Sequence, residues 1–168
     1  MRSRPSLFLN QTNLKKVIIN ISSNNEVNDM YGMFQNCTSL ESIDLSSFPF
    51  KGNNIMSYMF FNCKNLSSII FQNDPNKEIK ALGMDHMFSF CEKLTSIDLS
   101  SFTIDQYSNF NCMFCYDYSL ESVKLPNIIT TNIMGFFGKK IYIDMNSMFD
   151  SCSKLININV NANSKIYI

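Results

Sequence analysis

One unit recurs along this chain and constrains its fold more than any other feature: Met30-Tyr-Gly-Met-Phe-Gln-Asn-Cys-Thr-Ser-Leu-Glu-Ser-Ile-Asp-Leu-Ser-Ser-Phe48. Its Met33-Phe34, Cys37, Leu40, Ile43 and Leu45 return as Met59-Phe60, Cys63, Leu66, Ile69 and Phe71, and again as Met87-Phe88, Cys91, Leu94, Ile97 and Leu99. Met113-Phe114 leads to Leu120, Val123 and Leu125, and Met148-Phe149 leads to Cys152, Leu155, Ile158 and Val160. An earlier copy, Leu7-Phe8 with Leu14, Val17 and Ile19, carries Gln11 at the Cys position. Six units therefore start near 7, 33, 59, 87, 113 and 148, at spacings of 26, 26, 28, 26 and 35 residues.

Each unit has two halves with different periods. Met30, Met33, Phe34 and Cys37 stand at i, i+3, i+4 and i+7, the spacing of one face of a short helix of about two turns. Asn28 or Asp29, Asn54, Asp85 and Asp144 lie where they would cap such helices. The second half, Ser42 to Ser46, alternates polar and apolar with the period of a half-buried strand. Neither piece can bury its apolar side alone, so neighbouring units must stack. The pattern predicts an α/β solenoid of six strand-plus-short-helix coils, sharing one parallel sheet, in a single domain spanning 1–168.

Stacking turns equivalent residues into ladders. Leu14, Leu40, Leu66, Leu94, Leu120 and Leu155 form one, and Phe8, Phe34, Phe60, Phe88, Phe114 and Phe149 a second. The third reads Gln11, Cys37, Cys63, Cys91, Asp117 and Cys152. A column of one residue type is explained by packing, so these cysteines are expected as buried thiols. Neighbouring coils nevertheless bring a Cys37–Cys63 or Cys63–Cys91 disulfide within geometric reach.

The units Met33 to Phe48, Met59 to Phe71 and Met87 to Phe102 resemble the BspA-type leucine-rich-repeat proteins. More narrowly, they are similar to those built on a 26-residue Met-Phe…Cys…Leu…Leu-Asp-Leu-Ser…Phe repeat, found in surface proteins of bacteria and protists. The resemblance runs from Leu7 to Val160. It implies a right-handed leucine-rich-repeat-like stack with a role in binding or adhesion, and it carries over no catalytic residue.

The chain also departs from the pattern. Asp117 interrupts the cysteine column, the fifth unit holds an insertion near 128–143, and no secretion signal is visible at the N-terminus. A chain complete as written is expected in the cytoplasm, and a fragment of a family-typical protein at the cell surface.

Charge narrows the partners. With 14 basic and 14 acidic side chains and no basic stripe, nucleic acid is not the expected partner. No apolar run is long enough to span a membrane. The lone Cys112-x-x-Cys115 has no second Cys/His pair to complete a zinc site and reads as packing. Asp85-His86, with the only histidine, has no nucleophile tied to it, and His86 reads as solvated. No metal, cofactor or catalytic set is expected.

What remains is a surface for a protein or glycan. The outward strand columns read Lys16, Ser42, Ser68, Ser96, Ser122, Asn157 and Ile18, Asp44, Ile70, Asp98, Lys124, Asn159. From these, Asp44, Asp98 and Lys124 are candidate contacts. The insertion supplies a second group, Phe136, Phe137, Lys139, Lys140 and Tyr142, unless that loop folds back to shield its own apolar side chains. An intracellular scaffold with the same fold, or a piece of a larger repeat protein, is the other reading.

Overall fold

The computed structural model describes residues 6–19, 27–72, 78–104, 108–128, 145 and 147–160. Every strand in them pairs in parallel with the equivalent strand of a neighbouring unit, which makes the molecule a β-solenoid. The alternating segments supply β1 (Lys16–Val17), β3 (Ser42–Asp44), β5 (Ser68–Ile70), β7 (Ser96–Asp98), β9 (Ser122–Lys124) and β11 (Asn157–Asn159). Ile43, Ile97 and Val123 point inward between exposed or half-exposed neighbours, as period two requires.

Three features differ from the expectation of helices and one sheet. First, a second strand follows each of the first five motifs. Between the repeat motifs lie β2 (Val27–Asp29), β4 (Phe50–Ile55), β6 (Ile79–Gly83), β8 (Phe102–Ile104) and β10 (Asn127–Ile128), joined as one sheet in the order β10-β8-β6-β4-β2. These segments lack a common repeat signature, so periodicity within one unit did not expose them.

Second, the motif strands do not form a continuous sheet. They divide into β1-β3-β5 and β7-β9-β11, with no ladder between β5 and β7. The interruption falls where the units are spaced 28 residues apart instead of 26. Elsewhere the same two coils stay joined: Phe60 N–H donates to Met87 O at 2.9 Å, and Asn62 N–H to Ser89 O at 2.8 Å.

Third, the described residues contain no helix. The Met-Phe half is a run of tight turns. Met33, Gln35 and Cys37 donate back to Met30, Gly32 and Phe34 at 3.1, 3.0 and 3.1 Å. The residues between them donate forward to the next coil: Gly32 to Ser57, Phe34 to Met59 and Asn36 to Phe61, at 3.0, 2.9 and 2.8 Å. Alternation of this kind needs a left-handed residue every fourth position, and Gly32 and Asn36 have φ of 56° and 62°. Tyr58 and Asn62, His86 and Phe90, and Cys112 and Tyr116 repeat the pair. A helix excludes such residues at about 1–2 kcal/mol each. Here each forward bond leaves no donor unsatisfied, and the stack holds the strained backbone in place.

The inward side is nevertheless the one the spacing marked. Met30, Phe34 and Cys37 are fully buried, as are Met56, Met59, Phe60 and Cys63 in the next coil. The phenylalanines form a continuous stack: Phe8–Phe34, Phe34–Phe60, Phe60–Phe88, Phe88–Phe114 and Phe114–Phe149 lie 5.2, 5.4, 5.8, 5.4 and 5.5 Å apart. Their planes differ by at most 8°. The widest step, Phe60–Phe88, coincides with the break between the motif sheets. Leu40, Leu66, Leu94 and Leu120 are fully buried beside this stack, while Leu14 and Leu155 at its two ends are half-buried.

Candidate functional site

The cysteine column is an interior hydrogen-bonding device. Each thiol donates to the carbonyl of the ladder phenylalanine one coil earlier: Cys37 to Phe8 and Cys63 to Phe34 at 3.1 Å, Cys91 to Phe60 at 3.3 Å, and Cys152 to Phe114 at 3.0 Å. All six cysteines are free, so neither disulfide that neighbouring coils would allow is present. Burial pushes every thiol of the column upward, Cys152 to about 12. Thiols held so firmly protonated are poor nucleophiles and poor metal ligands.

Asp117 occupies the same column and is fully buried. Its Oδ1 accepts the Cys91 N–H at 2.7 Å, while Oδ2 has no hydrogen-bond partner among the described residues. Desolvation raises its carboxyl well above the usual range, against the pull of the Cys91 N–H. Burial thus disfavours its charged form, and its one hydrogen-bond partner among the described residues is a backbone N–H, not a base.

Cys115 is buried and donates to Ser147 O at 3.0 Å, and burial pushes its thiol to about 12 with Cys112 beside it adding to the shift. His86 is half-buried, not freely solvated. Its ring stacks on Tyr58 at 4.8 Å and lies 6.2 Å from Phe61, and Nδ1 sits 3.3 Å from Ser89 Oγ. The Asp85 carboxylate takes the Ser57 hydroxyl. Neither motif assembles an acid–base set, and no group of three or more His, Cys, Asp or Glu among the described residues is placed to hold a metal.

One surface feature escaped the sequence reading. The turns carry a ridge of rings through Tyr31, Tyr58, His86 and Phe61, continuing along Phe90, Tyr116 and Tyr118, with centroids 4.6–6.3 Å apart. The signal was present at the left-handed positions, where Tyr58, His86, Phe90 and Tyr116 stand in columns with Gly32 and the asparagines. Phe90–Tyr116 and Tyr58–His86 stack within 15° and 23° of parallel, so their faces are used on one another. Beside this ridge an asparagine ladder runs from Asn62 to Asn36 to Asn10, at 2.9 and 2.7 Å. Both features bind coil to coil.

The strand face is different. Over β1, β3 and β5 lies a groove of about 450 Å³ lined by Lys16, Ile18, Ser42, Asp44, Ser68 and Ile70, among others. Ser42 stands in register with Lys16 and Ser68, and Asp44 with Ile70. Ile18 is 75% exposed and Ile70 45%. Hydrogen bonds from Ser46 to the Asp44 carboxylate hold it below the usual range, so it is a fixed negative charge at neutral pH.

Of the three strand-face candidates, the structure keeps two together and separates the third. Lys124 Nζ lies 2.7 Å from Asp98 Oδ2, with Asp98 and Lys124 in register on β7 and β9. Partial desolvation pushes the Asp98 carboxyl up, but Lys124 and the Ser100 hydrogen bonds outweigh it and the net direction is down. Asp44 belongs to the other motif sheet. Phe136, Phe137, Lys139, Lys140 and Tyr142 lie outside the described residues.

A family model described as BspA type leucine rich repeat region matches residues 4–141 in six copies. Neither a curated protein nor a solved structure matches the chain.

Proposed function

The chain belongs to the BspA-type leucine-rich-repeat family, and from that premise we propose that it is a non-enzymatic interaction module, recognising a protein or glycan through its strand face. The observation that carries this reading is the groove over β1, β3 and β5. It combines exposed isoleucines with charged and hydroxyl side chains, whereas the cysteine, phenylalanine and asparagine ladders are committed to neighbouring coils. Parallel solenoid sheets supply extended surfaces of this kind for recognition. Adhesion at a cell surface is the form of this function that the family resemblance favours.

The test is binding of protein and glycan arrays to the intact chain and to a variant in which Ser42→Trp and Ser68→Trp fill the groove. Both serines are exposed, so the fold should persist and can be checked by thermal melting. Loss of a bound partner in the filled variant is the expected result. Equal binding by both proteins would rule out this face as the recognition surface.

A further inference from the structure

The two motif sheets treat the same column in opposite ways. In the C-terminal sheet, Asp98 faces Lys124 in register and the pair closes at 2.7 Å. In the N-terminal sheet the same register places Ile70 opposite Asp44. Asp44 has no ion pair among the described residues, and neither has Lys16 in the preceding coil. Both line the groove, with the exposed Ile18 and Ile70 beside them. Within this strand column, the described residues thus carry one completed acid–lysine contact and one acid that faces an isoleucine instead.

We propose that the groove over β1, β3 and β5 receives an extended peptide segment bearing an acidic and a basic side chain two residues apart. This deepens the interaction-module reading and rests on it. The basic side chain takes at Asp44 the position that Lys124 takes at Asp98, with its methylene stem lying along Ile70 and Ile18. The acidic side chain meets Lys16. Lys16 is in register with Ser42, so Asp44 lies one strand across and two residues along. Strand geometry puts that diagonal at roughly 8 Å, against roughly 6.6 Å between alternate residues of an extended peptide. The flexible stems of Glu and Lys cover the difference.

Ser42, in register with Lys16 and two residues before Asp44, and Ser68 one strand further on offer hydroxyls to a peptide backbone. A polyanion is disfavoured by Asp44 and a polycation by Lys16. A segment with one charge of each sign satisfies both.

The experiment uses the full chain and three end-blocked synthetic heptapeptides, measured by fluorescence anisotropy at low and physiological salt. One reads Thr-Val-Glu-Thr-Lys-Val-Thr, one has Glu and Lys exchanged, and one has Gln at both positions. The expected result is that one charge order binds at least tenfold more tightly than the Gln peptide. In the double variant Lys16→Glu, Asp44→Lys, the preferred order should invert. Both substituted positions are exposed, so folding is not at stake. Three results overturn the proposal: all three peptides binding alike, none binding, or a preference that the charge exchange leaves unchanged. If a neutral glycan binds instead and is lost from the groove-filled variant alone, the peptide proposal falls and the interaction module stands. If neither peptide nor array partner binds the strand face, both fall.

Discussion

The carboxyl group of Asp117 accepts a 2.7 Å hydrogen bond from the backbone N–H of Cys91, one coil earlier, in a column where other coils place a thiol. An acid that accepts a hydrogen bond thus sits where a weak thiol donor otherwise bridges the stack. Burial holds the carboxyl protonated far above the pH at which an unfolded aspartate ionises.

The sign of its pH effect follows. With the folded pKa raised, the stabilising contribution is complete below the unfolded value, near pH 4, and declines as pH climbs towards the folded value. The loss accrues at about 1.4 kcal/mol per pH unit within that window. Asp117→Asn should flatten this part of the stability–pH profile, and Asp117→Cys, which restores the column, should raise the urea midpoint at neutral pH. Urea melts between pH 4 and 8 check both; a wild-type profile parallel to that of Asp117→Asn would contradict the assignment.

The phenylalanine stack should respond by position. Phe60 has ring neighbours on both sides and no exposed surface, so Phe60→Ala should cost about 3–5 kcal/mol. Phe8, half-buried with one ring partner, should cost clearly less on the same substitution. Chemical denaturation of the two variants side by side measures the difference.

Thiol chemistry should follow burial. Cys37, Cys63, Cys91 and Cys115 are buried, and desolvation favours their protonated forms. Cys112, half-buried, is expected to react first with an aromatic disulfide reagent under native conditions. The four buried thiols should react only on unfolding. Mass spectrometry of partly labelled protein identifies the site, and early labelling of Cys63 would contradict the packing.

The Asp98–Lys124 contact is exposed on both sides, at 51% and 54% of the side chains, and should contribute little to stability. A double-mutant cycle with Asp98→Asn and Lys124→Met should return about 0.2–1 kcal/mol, falling with added salt. A larger, salt-insensitive coupling would show that the pair is shielded in a way its exposure does not indicate.

The outcome differs from the sequence reading at particular residues, for identifiable reasons. The spacing of Met30, Met33, Phe34 and Cys37 identified the buried side correctly, because in these turns the same four side chains point inward as would do so from one face of a helix. It could not separate the two. Gly32 and the Asn10, Asn36, Asn62 column were the available signal, since glycine and asparagine enter the left-handed region most readily. Tyr58, His86 and Phe90 hide it, because such residues are driven into that region only by their neighbours. At the surface, Asp44 and Asp98 are equivalent in sequence, and only the residue opposite each, Ile70 or Lys124, makes one open and the other paired.

By itself, the sequence determined that the chain is a stack of repeats, which side chains face inward, and which residues form the ladders. Those properties depend on apolar spacing within a unit and on its recurrence from unit to unit. Tertiary structure alone decided that the Met-Phe half is turned and not helical, that a second strand lies between successive motifs, and that the motif sheet breaks between β5 and β7. It also decided that Asp44 makes no ion pair among the described residues. In each case the deciding partner lies about one unit away along the chain, as Phe34 N–H finds Met59 O and Asp98 finds Lys124. A partner at that distance is assigned only when the coils stack in register.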